Sequence, residues 1–321
     1  MSVIFITGGA GYIGSATSYR LSKLGYTVVV YDSAPVKNNH FFKAPIISIH
    51  GDICDNDRLI QEMKRYKPSV VLHLAAKTSV LESEKQKKLY EETNVKGTKN
   101  VLLAMKACGC TKIIFASSAS VYGLTNNKLP ENTPLPPMNV YAKTKRRGEE
   151  LIQAERTLNW VIFRYFNVVG ATHDGLFGES VKESKKLIPS VLRTGLGVEN
   201  NLTIYGNSYP TPDGTAIRDY VSLEDVVRAN VMAVDHLQEG KPSLLCNIGS
   251  GVGIRNLEVV HAVEKQLRKN ISIQFKRSRQ ETITSVANIF AVKNAFGWNP
   301  NYSSLPNIIA GLVSFQKTLH Q

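Results

Sequence analysis

The N-terminal segment SVIFITGGAGYIGSATSYRLSKLGYTVVVYDS constrains the fold more than any other part of the chain. A short apolar run, Val3 to Ile6, leads into three glycines spaced three residues apart, and an amphipathic segment precedes a second apolar run, Val28 to Tyr31. This is the strand, turn, helix, strand order of a βαβ unit. Glycines at this spacing allow a tight turn and let the N-terminus of a helix approach a pyrophosphate group.

A carboxylate follows at the end of the second apolar run. Asp32 stands where such a group accepts hydrogen bonds from the 2′- and 3′-hydroxyls of an adenosine ribose. Because a carboxylate repels a 2′-phosphate, the sequence predicts NAD rather than NADP, although the nearby Lys37 leaves NADP open.

Further strand candidates alternate with stretches of helical pattern. They are Ile46–His50, Val70–His73, Lys112–Ala116 and Trp160–Phe166. Alternation of this kind predicts a parallel sheet with helices on both faces and right-handed crossovers. The predicted fold class is therefore α/β, with a Rossmann-type doubly wound parallel sheet.

Composition and cysteine usage exclude several classes of protein. In 321 residues no apolar run approaches the ~18 residues of a membrane span, and no basic segment precedes VIFI, so we expect neither a membrane helix nor a signal peptide. The four cysteines form no CxxC pair and no cluster with histidine. They fit reduced thiols, and we expect a cytoplasmic protein without a metal site.

The formal net charge of +13 indicates an anionic partner or a generally basic surface. The basic residues are scattered and no RNP, zinc-finger or arginine-rich motif occurs, which argues against nucleic acid. A phosphorylated small molecule is the partner that the charge leaves open.

The segment YAKTK places Tyr141 and Lys145 four residues apart in a predicted helix. Positions i and i+4 lie on the same face, so the two side chains can share one pocket, where the ammonium would lower the pKa of the phenol towards neutrality. The alternative is a surface pair within a basic run that includes Lys143, Arg146 and Arg147. Spacing alone favours the surface pair.

Several motifs in order resemble those of the extended short-chain dehydrogenase/reductase superfamily: GGAGYIG, Asp32, SSASVYG at 117–123 and YAKTK. Within that superfamily the chain resembles the UDP-galactose (UDP-glucose) 4-epimerases. The segments that carry this resemblance are IYGNSYPTPDGTAIRDYVSLEDV at 204–226, RYFNVVGA at 164–171 and NIGSGVG at 247–253. The resemblance extends from Val3 to about Pro300.

This resemblance implies two domains. Residues 1–167 would form an NAD-binding Rossmann domain, completed by a return segment near 219–250. The remaining segments of 168–321 would form a smaller C-terminal α/β domain that binds a UDP-sugar. The resemblance also implies a homodimer, formed by the helix near 88–106 and the helix that begins at Tyr141.

The family's catalytic serine, tyrosine and lysine fall on Ser118, Tyr141 and Lys145. Lys145 would bind the nicotinamide ribose and keep Tyr141 acidic, and Tyr141 would take the proton of the sugar 4-hydroxyl while C4 gives its hydride to NAD. The resulting 4-keto sugar would turn in the site and take the hydride back on its other face. Ala119 and Ser120 stand where related sugar dehydratases carry carboxylates, which favours simple epimerisation.

The resemblance also assigns binding residues to each ligand. The cofactor-binding residues would be Gly8, Gly11, Tyr12, Ile13, Gly14, Asp32, Asp52, Ile53, Leu74, Ala75, Ala76, Asn94, Tyr141, Lys145 and Tyr165. The substrate-binding residues would be Ser118, Tyr141, Asn167, Lys186, Leu187, Arg218, Arg279 and Val286.

The substrate-binding part departs from the family's pattern at several points. Lys186-Leu187 replaces an Asn-Leu pair, RQET at 279–282 replaces an RxGD run, and YFNVVGA lacks the proline of YFNPxGA. Val286 falls on a position where a small residue would admit an N-acetylated sugar. The alternatives are therefore a UDP-GlcNAc or UDP-uronate 4-epimerase, another nucleotide-sugar enzyme of the superfamily, or a non-catalytic NAD or nucleotide-sugar sensor.

Overall fold

The protein is described by a computed structural model that covers residues 2–35, 45–124, 128–133, 136–182, 184–278 and 282–319. Lys37 and Arg279 lie outside these ranges. Across the described part of the chain no helix is long and apolar enough to cross a membrane. The same residues contain no group of three or more His, Cys, Asp or Glu side chains that could hold a metal ion.

One large sheet includes all the strands that the sequence predicts, and further strands are present. The strands are β1 (Val3–Thr7), β2 (Thr27–Asp32), β3 (Ile46–His50), β4 (Val70–His73), β5 (Lys112–Ser118), β6 (Lys128–Leu129), β7 (Asn159–Tyr165), β8 (Asn167–Val169), β9 (Leu202–Tyr205), β10 (Ile217–Arg218), β11 (Tyr220–Ser222), β12 (Leu244–Ile248), β13 (Ile254–Arg255), β14 (Ile273–Lys276) and β15 (Thr284–Ala287). The helices are α1 (Tyr12–Lys23), α2 (Asn56–Tyr66), α3 (Val80–Lys85), α4 (Lys87–Tyr90), α5 (Gly97–Cys108), α6 (Val140–Ala154), α7 (Leu187–Gly195), α8 (Leu223–Gln238), α9 (Asn256–Leu267), α10 (Phe290–Phe296) and α11 (Leu305–Thr318).

A seven-stranded parallel sheet in the order β3-β2-β1-β4-β5-β7-β12 is the centre of the molecule. The strand order reverses between β1 and β4, and in such sheets a ligand cleft opens there, beyond the carboxyl ends of the strands. Both the α/β class and the Rossmann-type sheet are confirmed.

The central strands are buried on both faces, which is why they read as continuous apolar runs. Ile4, Phe5 and Ile6 of β1 are all fully buried. Alternate residues supply two separate hydrophobic clusters: Ile4 and Ile6 pack beneath α1 and α8, whereas Phe5 packs with side chains of α2 and α5. Helices therefore cover both faces of the sheet, and the carboxyl ends of its strands all lie at one edge.

The smaller part of the molecule has its own core. Short strands form a four-stranded sheet, β13-β10-β15-β6, and two pairs, β11 with β8 and β14 with β9. Apolar residues of α7, α9 and α11 pack together here. Meanwhile β12 pairs with β7 at the edge of the large sheet. The domain division at 167 and 168 stays a prediction.

Candidate active site

A cleft of about 1630 Å³ opens at the carboxyl ends of the central strands. The glycine-rich turn after β1, the end of β2, the loop after β4, and β5 with α6 together line the part that we call the cofactor side. Fourteen of the fifteen predicted cofactor-binding residues line this cleft, all except Asn94. Ser118, Asn167 and Lys186 also line it. The fold thus collects side chains from segments that lie far apart in the sequence.

The glycine-rich turn has no room for side chains at two of its three positions. A Cβ at Gly8, whose φ is +73°, would lie 2.5 Å from the Ala75 nitrogen, and a Cβ at Gly14 would lie 2.2 Å from the Gly8 oxygen. Gly11 precedes α1, whose first turn has no side-chain cap and no acidic residue. No side chain of the helix itself therefore caps the first N–H groups of α1, which fits a pyrophosphate.

Asp32 is fixed above this turn at the end of β2. Its Oδ2 accepts a hydrogen bond from the Ala10 nitrogen at 2.9 Å, and its Oδ1 accepts one from the Ala34 nitrogen at 2.9 Å. Each carboxylate oxygen has further lone pairs, and the residue lines the cleft. This placement fits hydrogen bonding to the two hydroxyls of a ribose.

Asn94 lies behind the cleft wall. Its side chain pairs with the backbone of Lys77, accepting from the nitrogen at 2.8 Å and donating to the oxygen at 3.0 Å. It also donates to Thr144 Oγ1 at 3.0 Å. Asn94 therefore ties the loop after β4 to helix α6, and any contact with a cofactor stays a prediction.

The three predicted catalytic residues come together where β5 meets α6. Ser118 is the last residue of β5, and its side chain hydrogen-bonds that of Tyr141. Asn139 caps α6 by accepting from the Ala142 nitrogen at 2.8 Å, which starts the helix so that Tyr141 lies in its first turn. Lys145 follows one turn later.

Tyr141 and Lys145 are not a surface pair. Tyr141 is 8% exposed and Lys145 is 4% exposed, whereas Lys143, Arg146 and Arg147 on the same helix are exposed. The Lys145 ammonium donates to the Ala116 oxygen at 2.7 Å. The structure therefore supports the shared pocket over the alternative that spacing alone favoured.

The pKa values in this pocket differ from the expectation based on spacing. Burial raises the pKa of Tyr141 above its usual value, although the hydrogen bond with Ser118 lowers it. Burial also lowers the pKa of Lys145 to about 7, while the charge of Glu149 raises it. The prediction that the Tyr141 pKa lies towards neutrality is wrong for the protein alone, because burial raises this pKa by more than the hydrogen bond with Ser118 lowers it.

Two of the predicted substrate-binding residues, Asn167 and Lys186, line the part of the cleft formed after β7, which we call the sugar side. Asn167 donates from Nδ2 to the Asp219 oxygen at 2.8 Å. Lys186, which precedes α7, donates to the Val168 oxygen at 3.0 Å and pairs with Glu179 at 2.9 Å. Lys186 therefore already has an anionic partner within the protein.

Leu187, Arg218 and Val286 do not line the cleft as it is formed by the described residues. Arg218 donates to the oxygens of Ile217 and Ile283 at 2.9 and 3.1 Å. Val286 is buried, and its Cγ2 would lie 3.0 Å from a Cβ placed at Gly253. The predicted role of each in substrate binding stays a prediction.

Asp219 has a structural position next to Arg218. Its buried carboxylate accepts from the Ser250 nitrogen and hydroxyl at 2.6 and 2.7 Å, from the Gly251 nitrogen at 2.9 Å and from the Ala287 nitrogen at 3.0 Å. Burial raises its pKa, and these hydrogen bonds lower it. Asp219 thus joins β15 to the loop after β12.

Sequence reasoning missed several residues of the cleft wall. Glu179 and Phe177 reach it from the loop after β8, and Phe315 and Thr318 reach it from α11. The sequence around α11 contains no motif, and its apolar pattern is that of a core helix. Only the tertiary packing brings it to the cleft.

Comparisons with known proteins agree with this geometry. Residues 4–249 match the NAD dependent epimerase/dehydratase family. A UDP-glucose 4-epimerase of Rhizobium meliloti (strain 1021) is 36% identical over 304 residues, which are 93% of this chain and 92% of that protein.

Two solved structures are similar over nearly the whole chain. The UDP-glucose 4-epimerase from Brucella ovis in complex with NAD has a TM-score of 0.92 and 32% identity, and the match covers 98% of each chain. The enzyme from Bifidobacterium longum in complex with NAD+ and UDP has a TM-score of 0.90 and 30% identity, and the match covers 99% of this chain and 98% of that one.

Proposed function

We propose that this chain, which belongs to the NAD dependent epimerase/dehydratase family, catalyses the 4-epimerisation of UDP-hexoses, interconverting UDP-glucose and UDP-galactose. The observation that carries the proposal is the meeting of Ser118, Tyr141 and Lys145 in one buried pocket, on the cleft that the glycine-rich turn and Asp32 also line. A pure binding protein needs no buried phenol and amine at this point.

NAD is the cofactor, and when bound it supplies the acceptor and donor of the hydride at C4 of the sugar. The residues that would hold it are those of the glycine-rich turn, through the first N–H groups of α1, and Asp32. Because the reaction regenerates the cofactor, a protein with this function has no need to release it between turnovers.

The chain's own residues would handle the proton. Tyr141 Oη takes the proton of the sugar 4-hydroxyl as C4 becomes a ketone, and returns it to the same oxygen after the sugar has turned. The Ser118 hydroxyl hydrogen-bonds the phenol, so it stabilises the phenolate form. The Lys145 ammonium adds positive charge to the same pocket.

Incubation of the purified protein with a panel of UDP-sugars tests this proposal. We expect NMR of the products to show conversion of UDP-galactose into UDP-glucose and the reverse, with no net change in the amount of oxidised cofactor. A protein that retains NAD but converts none of the UDP-sugars would contradict the enzyme and favour a sensor.

We also propose that the N-acetylated pair, UDP-GlcNAc and UDP-GalNAc, is interconverted. Valine at position 286 is small, and a bulky ring there would exclude an acetamido group in the family's arrangement. The same panel tests this, and Val286→Tyr should remove turnover of the N-acetylated pair while sparing the plain hexoses. Failure of the wild type to convert either N-acetylated sugar would contradict the proposal that the small residue at position 286 admits the acetamido group.

Finally, we propose a homodimer that buries the face formed by α5 and α6. Leu103 on α5 is 52% exposed. On α6, Arg146 and Arg147 each pair with Glu150, at 3.7 and 3.3 Å, which reduces the charge that the face presents. Sedimentation velocity should show a dimer for the wild type and a shift to the monomer for Leu103→Glu. The expected cytoplasmic location stays a prediction.

A further inference from the structure

Helix α6 is attached to strand β5 by three consecutive residues of the strand. Each of the three holds a different residue of the helix through a side chain or a backbone oxygen. The contacts join the Ala116 oxygen to Lys145 at 2.7 Å, the Ser117 hydroxyl to Glu149 at 2.5 Å, and the Ser118 side chain to Tyr141. Two of these helix residues, Tyr141 and Lys145, belong to the candidate catalytic set. The third helix residue, Glu149, does not.

Helix α6 packs on the Phe115 ring of the strand at this point. A Cβ at Gly148 would lie 2.6 Å from Phe115 Cζ, so a larger residue would have to displace the ring. The Lys145 ammonium lies 5.0 Å from the centre of the same ring. Lys145 is therefore confined between the strand and its own helix.

The Glu149 side chain is buried, with 1% of it exposed, and its carboxylate is held in a fixed orientation. Arg164 of β7 donates two hydrogen bonds to the Glu149 carboxylate in a bidentate arrangement, from Nε to Oε1 at 2.8 Å and from Nη2 to Oε2 at 2.7 Å. Arg164 is itself fixed, because it donates to the Glu131 oxygen at 2.8 Å and lies 4.7 Å from the centre of the Tyr122 ring. A paired geometry of this kind leaves the carboxylate little freedom.

The charged groups around Lys145 make Glu149 important for its protonation. Burial lowers the pKa of Lys145 to about 7, and the Glu149 charge opposes that effect. His73 of β4 is buried too, and burial followed by the charge of Lys145 lowers its pKa to about 3, so it is neutral. Tyr141 is also neutral in the protein alone, since burial raises its pKa.

Arg164 stays charged beside Glu149. Burial on its own would lower the pKa of Arg164, but the hydrogen bonds and charge of Glu149 raise it above its usual value. Arg146 pairs with the same carboxylate at 3.6 Å from the exposed side of α6. Glu149 thus serves as the shared anion for the cations on both sides of it.

We propose that Glu149 is a positioning residue for the reaction: fixed by Arg164 and Ser117 one helical turn after Lys145, its carboxylate favours the ammonium form of the buried lysine over the neutral amine. The inference rests on the proposed function, which gives Lys145 its task beside Tyr141. A neutral lysine could neither stabilise the phenolate of Tyr141 nor add positive charge to the cleft.

NMR titration of the holoenzyme labelled with ¹³C at the lysine ε-carbons measures this directly. Lys145→Arg identifies the Lys145 signal by its loss. In Glu149→Gln we expect the Lys145 pKa to fall by about one to three units, the range for loss of a neighbouring opposite charge. In Arg164→Lys, which keeps a cation beside the buried carboxylate, we expect no fall.

The pair of variants separates this role from a merely structural one, since disruption of packing would move both titrations together. The double variant Glu149→Gln, Arg164→Gln replaces the buried ion pair with neutral amides and protects the test if Glu149→Gln alone does not fold. It should show the same fall as Glu149→Gln.

An unchanged Lys145 titration in the variants that lack Glu149, or an equal fall in Arg164→Lys, would overturn the inference. The titration needs only a folded protein. A wild type that converts none of the UDP-sugars would instead overturn the proposed function, and the two failures are therefore distinguishable.

Discussion

The two sides of the cleft differ in how closely the structure follows the sequence. On the cofactor side, the glycine-rich turn, Asp32 and the Tyr141–Lys145 pair meet as their motifs predict. On the sugar side, Lys186 pairs with a carboxylate of the protein, and neither Arg218 nor Val286 lines the cleft. Lys186, which departs from the family's pattern, also lies on this second side.

The difference has a physical cause. Residues of the cofactor side stand at the ends of parallel strands or on one helix, so the sheet topology brings them together. The predicted substrate-binding residues come from β8, from the start of α7 and from the short strands β10 and β15, all of which lie outside the large sheet. Substitutions are therefore tolerated more easily on the sugar side, where the substrate can change while the chemistry stays.

The largest effect should come from Tyr141→Phe, which removes the proton acceptor but keeps the ring. We expect turnover to fall by about 10²- to 10⁴-fold, since that is the range for a positioned general acid or base. The bound cofactor should remain, as measured by chromatography after denaturation. Tyr26→Phe is a matched control, because Tyr26 donates to Asp235 away from the cleft. Near-normal epimerisation by Tyr141→Phe would refute the assignment.

A smaller effect should come from Asp32→Asn on the same side. The purified wild type should carry NAD without any being added, whereas the variant should bind NAD about 10- to 100-fold more weakly, because hydrogen bonds to a charged group contribute about 1.5–3 kcal/mol. Calorimetric titration of the stripped protein measures this, and Asp57→Asn on the exposed face of α2 is the control. Recovery of NADP instead of NAD would overturn the argument from Asp32.

The smallest effect should come from Lys186→Ala on the sugar side. Because Lys186 is 51% exposed and already pairs with Glu179, its loss should raise KM for a UDP-sugar only about two- to fivefold, with kcat unchanged. The adjacent, exposed Lys185→Ala is the control. An unchanged KM would show that Lys186 acts only within the protein, whereas a loss larger than that of Asp32→Asn would break the contrast between the two sides.

The large sheet could be predicted closely because its central strands are buried on both faces and read as apolar runs. The runs at 46–50 and 70–73 coincide with β3 and β4, and the run starting at Lys112 ends two residues early because Ser117 and Ser118 are polar. The two serines belong to the strand and line the cleft, so here polar residues within a strand indicate the site.

The remaining features of the site depend on burial and on contacts distant in sequence. The i to i+4 spacing predicts that Tyr141 and Lys145 share a pocket, but it does not reveal that burial raises the pKa of one and lowers that of the other. Similarly, no sequence motif predicts that Glu179 pairs with Lys186 or that α11 reaches the cleft. Each of these follows from tertiary packing.

The position of β12 beside β7 has a consequence for the newly made chain. The large sheet is complete only when Leu244–Ile248 has left the ribosome, about 80 residues after β7 ends at Tyr165. At a synthesis rate of roughly 5–20 residues per second, the sheet lacks its last strand, and the edge of β7 is unpaired, for several seconds. An unpaired edge can join another chain, so synthesis passes through an interval in which aggregation competes with folding.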